Sequence, residues 1–309
     1  MSLHPQAVAF LAIWNRINTA PLETTPVEVT RQTLLMATGP LKDCPPIERV
    51  ETLTVPGDDA PVRIRLYRPA GPLPQPVCLY FHGGGWVLNN IETHDDLARR
   101  LAAVCQCTVI SVDYRLAPEH KYPAAVNDAW AALLWVSKHG REYGIDPSRI
   151  AVCGDSAGAN LAAVLCLLTR DRGGPLIAFQ ALAYPVADCD FDRPSYHRNA
   201  DGYFLTRSQM QWFWQQYVAR PEQMAEPYAS PLRAQSLAGL PPALVFTAEY
   251  DPLCDEGEAY AAALAAAGVR TTMLRYQGMI HGFLKRVESF DDARRALQLI
   301  GEEFRRNFP

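Results

Sequence analysis

Ser156 lies in "GDSAG", a G-x-S-x-G pattern, between an apolar run that reads as a strand, Arg149–Cys153, and a helical stretch from Ala157 onward. A strand–Ser–helix turn with glycines on both sides presents a serine hydroxyl for nucleophilic attack. The helix start behind it offers unpaired N–H groups to developing negative charge. A serine hydroxyl is a weak nucleophile at neutral pH, so it needs a base within hydrogen-bond reach and a group to orient that base.

Seven histidines are available. His281, in "GMIHGF", directly follows the last predicted strand. Loops at the C-terminal edge of a parallel sheet are where ligands and catalytic groups gather, which selects His281 as the base. The orienting carboxylate should also lie just past a strand end. "LVFTAEYDPLCDE" supplies Glu249, Asp251, Asp255 and Glu256. Asp255, with Glu258 three residues on, reads as a helix cap. Asp251 precedes Pro252, which favours an extended turn at the sheet end. Asp251 is the choice, with Glu249 second.

Attack on an ester carbonyl creates an oxyanion that fixed N–H donors stabilise best. The Ala157 N–H, next after the nucleophile, is one expected donor. "FHGGGW", residues 81–86, follows a predicted strand and offers bare backbone. Gly83 and Gly84 are the other expected donors, with Gly85 supporting the bend. A phosphate cradle is the competing reading, but neither G-x-G-x-x-G nor a Gly-Lys-Ser/Thr follows.

These groups need a scaffold. Eight apolar runs read as strands: Glu51–Val55, Val62–Tyr67, Val77–Phe81, Thr108–Asp113, Arg149–Cys153, Phe179–Tyr184, Ala243–Ala248 and Thr271–Tyr276. A turn-rich Pro56-Gly57-Asp58-Asp59 joins the first two as a hairpin. Helical patterns separate the later ones, which predicts a mostly parallel eight-stranded sheet with helices on both faces. Residues 1–45 look helical and amphipathic, and the aromatic-rich region 186–232 interrupts the rhythm of strand and helix. Both are expected to form a helical cap. The catalytic α/β domain then comprises 46–185 and 233–309.

A chain of 309 residues, 49% hydrophobic with net charge −4, suits a globular protein with a sizeable core. It offers no basic face for a nucleic acid. No apolar run reaches the length of a membrane span. "MSLHPQAVAFLAIWN" lacks the basic start and cleavage site of a signal peptide, so a cytoplasmic protein is expected. Most of the eight cysteines sit in apolar segments, where a free thiol behaves as a small hydrophobe. The chemistry above requires no metal and no organic cofactor.

"HGGGW", "DYRLAPEHKYPAA", "GDSAGAN", "YDPLCDE" and "HGF", in this order, resemble the bacterial hormone-sensitive-lipase-like carboxylesterases, also called family IV. The resemblance runs from about residue 50 to the C-terminus. It implies an α/β-hydrolase fold with Ser156, Asp251 and His281 as the triad, and Gly83, Gly84 and Ala157 as the oxyanion hole. It further implies a serine esterase acting on short- to medium-chain monoesters. The plausible pocket walls are Trp86, Phe204, Leu205, Trp212, Ile280 and Phe283. Relatives of this kind often pair through the edge strand near Thr271–Tyr276, which implies a homodimer. Where the family usually has Arg after Asp-Pro-Leu, this chain has Cys254. An amidase or peptidase with the same triad and a catalytically silent small-molecule binder are the alternatives.

Overall fold

The computed structural model describes residues 2–17, 20–41 and 43–308. Eight strands form one sheet: β1 (Arg49–Val55), β2 (Val62–Arg68), β3 (Gln75–Phe81), β4 (Thr108–Asp113), β5 (Ile145–Asp155), β6 (Ile177–Ala183), β7 (Ala243–Tyr250) and β8 (Thr271–Ile280). Their order is β1-β2-β4-β3-β5-β6-β7-β8. The β1–β2 hairpin is antiparallel, and β2 also pairs antiparallel with β4. Every later pairing is parallel. The expected eight strands are all present, several of them longer than their apolar runs.

Both faces of the sheet are covered, which is why its central strands are apolar without interruption. Successive residues of β3 alternate between two cores. Leu79 and Phe81 join α4 (Ala124–His139), α5 (Ala157–Arg172) and α8 (Cys254–Ala266) on one face. Cys78 and Tyr80 join α3 (Asp95–Cys105) and α9 (Asp291–Asn307) on the other. All eight cysteines are free and six are buried.

Two segments lie outside this frame. The N-terminal segment carries α1 (Pro5–Ile17) and α2 (Val27–Met36), and the insert carries α6 (Pro194–Arg198) and α7 (Arg207–Tyr217). Thr206 and Gln209 close α7 with a reciprocal capping box. Arg31 on α2 donates to the Val87 and Ala117 carbonyls at 2.8 Å each and to both oxygens of Glu119 at 2.9 Å. The "DYRLAPE" stretch is therefore a brace, since Asp113 also takes Arg63 and Arg115 takes Asp128. No helix among the described residues is long and apolar enough to cross a membrane.

Candidate active site

Three strand ends converge. β5 ends at Asp155 and α5 begins at Ala157, so Ser156 alone makes the turn. It does so at φ 57°, ψ −122°, a strained conformation for a residue with a Cβ. The close approach demands glycine on either side. A Cβ on Gly154 would fall 2.3 Å from the Gly158 backbone, and one on Gly158 would fall 2.0 Å from the Phe81 carbonyl.

The Ser156 hydroxyl lies 3.0 Å from His281 Nε2. His281 Nδ1 lies 2.7 Å from Asp251 Oδ2. A carboxylate only accepts, so Nδ1 carries the proton and Nε2 is left free to accept from the serine. Asp251 is fully buried just past β7, and the Leu253 N–H donates to its second oxygen at 2.9 Å. Glu249, the second choice for the carboxylate, instead accepts the Gly278 N–H at 2.7 Å. Asp255 accepts the Ser195 N–H at 2.7 Å and pairs with Arg198. The Cys254 thiol sits 3.4 Å from Glu258, whose charge Arg275 neutralises.

The glycine loop corrects one expectation. The Gly83 N–H donates to Asp155 Oδ1 at 3.0 Å, so it is not free for an oxyanion. The Gly83 carbonyl is held as well, by Asn89 Nδ2 at 2.9 Å and His82 Nδ1 at 3.0 Å. Gly84 and Gly85, at φ 133° and 61°, line the cavity with Ser156. Neither of their N–H groups has an acceptor among the described residues, nor does that of Ala157 in the first turn of α5. Gly85, expected only to support the bend, therefore offers a free N–H. Only the pairing of Gly83 with a side chain 72 residues away reveals the shift by one residue.

Beneath this loop lies a buried polar cluster. Tyr80 donates to Asp155 Oδ1 at 2.6 Å, and His94 Nε2 stands 3.9 Å from Oδ2. His82 stacks on Tyr114 at 4.4 Å, and the Tyr114 hydroxyl donates to the His82 carbonyl. Burial holds the His82 and His94 imidazoles below their usual range, so both are neutral at pH 7. His82 braces the loop and lies away from the serine proton.

A cavity of about 830 Å³ opens over Ser156 and His281. Trp14, Leu22 and Leu34 from the N-terminal segment and Leu205, Met210 and Phe213 from the insert line it. Of the expected walls, Phe204 and Leu205 are there; Trp86, Trp212, Ile280 and Phe283 are not. Trp86 is fully buried because its indole stacks on Tyr217 at 4.1 Å and meets Trp214 edge-on, anchoring α7 to the sheet domain. Ile280 and Phe283 point into the core on the α9 side, and Trp212 packs beside Phe213. Adjacent to His281, and missed from sequence, Lys285 and Arg286 also line the cavity. Nothing in "HGFLKR" distinguishes a cavity lysine from a surface one.

Comparison with known proteins agrees with this geometry. Residues 78–285 match the family model described as the alpha/beta hydrolase fold. Carboxylesterase NlhH of Mycobacterium tuberculosis is 45% identical over 265 residues, 84% of this chain and 82% of that protein. An arylesterase of Saccharolobus solfataricus is 39% identical, covering 92% and 93% of the two chains. Among solved structures, a hyperthermophilic esterase from Pyrobaculum calidifontis superposes with a TM-score of 0.92 at 41% identity, covering 98% of each chain. The motifs, the sheet and these relatives together mean that the chain belongs to the α/β-hydrolase fold family, among its hormone-sensitive-lipase-like carboxylesterases.

Proposed function

We propose that the chain hydrolyses dissolved short- to medium-chain monoesters through an acyl-enzyme on Ser156. The observation that carries this reading is the hydrogen-bonded series Ser156–His281–Asp251, at 3.0 and 2.7 Å. His281 Nε2 takes the serine proton as Oγ attacks the carbonyl carbon. The imidazolium then passes that proton to the departing alcohol. Water, deprotonated by the same nitrogen, attacks the acyl-enzyme and releases the acid and Ser156. Asp251 holds the imidazole tautomer and stabilises its cation. The N–H groups of Gly84, Gly85 and Ala157 face the developing oxyanion, each donor removed costing about 10²–10³-fold in turnover.

The N-terminal segment and the 186–232 insert act as one cap, because both line the cavity over Ser156. A covered cavity favours single dissolved molecules, and the carboxylesterase and arylesterase relatives support small esters. The eight free thiols support a reducing, cytosolic setting. Among the described residues the outer edge of β8 has no neighbouring strand, which supports a dimer paired there. A monomer by sedimentation at micromolar concentration would refute that pairing.

Turnover of p-nitrophenyl butyrate against a matched anilide tests the reaction class. The ester is expected to react far faster, and a comparable anilide rate favours an amidase instead. Ser156→Ala is expected to abolish hydrolysis; retained turnover sinks the proposed site.

A further inference from the structure

Lys285 and Arg286 are cations on the floor of the catalytic cavity, four and five residues after His281. Most arginines of this chain are matched to acids: Arg31 with Glu119, Arg63 with Asp113, Arg115 with Asp128, Arg275 with Glu258. Lys285 and Arg286 have no such partner among the described residues. Arg286 is held rigid nonetheless. Its guanidinium sits 4.7 Å over the Phe10 ring and 4.4 Å over the Phe204 ring, and Nη1 donates to the Gly282 carbonyl. Lys285 makes no hydrogen bond within the described residues. Asp155 acts on both cations through space but forms no ion pair with either; its Oδ1 accepts from Tyr80 and Gly83, and His94 stands 3.9 Å from its Oδ2. Glu23 and Asp201 also line the cavity, from the cap side; Glu23 accepts from Ser208, and Asp201, which is exposed, accepts from the Gly202 N–H.

Two half-buried cations offset by one nearby acid, with no ion pair, are costly, and cavities are where such costs are kept for a ligand. Burial, with Arg286 adjacent, draws the Lys285 amine down to about 8; Asp155 opposes this. Arg286 is lowered by burial to about 10. A planar guanidinium held against two adjoining rings presents its remaining N–H groups in a fixed fork suited to a carboxylate. A neutral ester leaves Asp155 as the one acid offsetting two cations.

We propose that Lys285 and Arg286 form a subsite for a carboxylate carried on the ester substrate, so that the preferred substrates are half-esters of dicarboxylic acids. This rests on the esterase reading above and names its substrate class. Binding the free carboxylate beside the reacting carbonyl matches the two cations and orients the ester over Ser156.

The test is hydrolysis of monoethyl glutarate against ethyl pentanoate, followed by pH-stat at pH 7. The wild-type enzyme is expected to favour the half-ester at least tenfold in kcat/KM, mainly through KM. Lys285→Met is expected to cut that ratio at least tenfold, and Lys285→Arg to keep it within about threefold of wild type. The wild-type ratio falls as pH rises through about 8, where Lys285 loses its proton, and Lys285→Arg holds it. A wild-type ratio below tenfold overturns the subsite, as does one that Lys285→Met leaves in place. Turnover of the neutral ester by each variant reports that it is folded. Absence of p-nitrophenyl butyrate turnover by the wild type would instead sink the esterase reading itself.

Discussion

Asp155 Oδ1 accepts the Gly83 N–H at 3.0 Å, so the residue before the nucleophile holds the glycine loop in place. One carboxylate thereby couples the two halves of the proposed oxyanion hole, the elbow at Ala157 and the loop at Gly84 and Gly85. Tyr80 donates to the same oxygen at 2.6 Å, and charge-assisted bonds of this kind are stronger than neutral ones. Asp155→Ala leaves the Tyr80 hydroxyl and the Gly83 N–H buried without an acceptor. Turnover of p-nitrophenyl butyrate is expected to fall about 10²-fold in kcat with little change in KM, since the loss is of transition-state stabilisation. Stability should drop by about 1–3 kcal/mol in urea unfolding. Full activity in the variant would mean that the loop keeps its position without this tie.

Asp251→Asn replaces a group that only accepts with one that also donates. The amide can donate to His281 Nδ1, which moves the imidazole proton to Nε2 and removes the base from Ser156. Steady-state kinetics should show kcat reduced about 10³–10⁴-fold with the fold intact. A loss below tenfold would show that Asp251 does not set the tautomer.

Arg31 fastens α2 to the loop after β3 and to the "DYRLAPE" brace through two carbonyls and Glu119. Arg31→Ala strands those acceptors and frees the helix that lines the cavity with Leu34. Amide exchange across 27–36 is expected to quicken by about tenfold or more, reflecting roughly 1–2 kcal/mol of local stability. Unaltered exchange would place the anchoring elsewhere, in the packing of Leu22 and Val27.

Glu256 is fully buried on α8, where its Oε1 accepts the Ala187 and Asp188 N–H groups and its Oε2 has no partner among the described residues. Burial raises its carboxyl to about 8. Between its unfolded value near 4.5 and 8, the folded chain keeps this proton while the unfolded chain releases it. Stability contributed at this site therefore falls as pH rises through that window. Glu256→Gln carries no such proton. The melting temperature of the variant should gain on wild type from pH 5 to pH 8, by an amount corresponding to a few kcal/mol. A gap that stays constant with pH would mean that Glu256 is ionised in the folded protein.

Sequence alone determined the sheet and the order of the chemistry. Apolar runs of strand length, separated by helical periods, are local patterns, and burial of both sheet faces leaves few other ways to satisfy them. Ser156, Asp251 and His281 could be selected because each follows a strand end, and parallel strands bring such ends to one edge. What only the tertiary structure decided were the non-local pairings. Which glycine N–H remains free depends on Asp155, 72 residues from Gly83. Trp86 reads as a cavity wall by its place beside the glycines, yet Tyr217, on the far side of the insert, buries it completely. Nothing in the sequence singles out Lys285, and only the fold brings it to the cavity beside Arg286 without an ion pair. Periodicity carries information about the side of an element that faces inward. It carries none about which distant side chain will meet it there, and at this site those meetings set the donors, the walls and the charge.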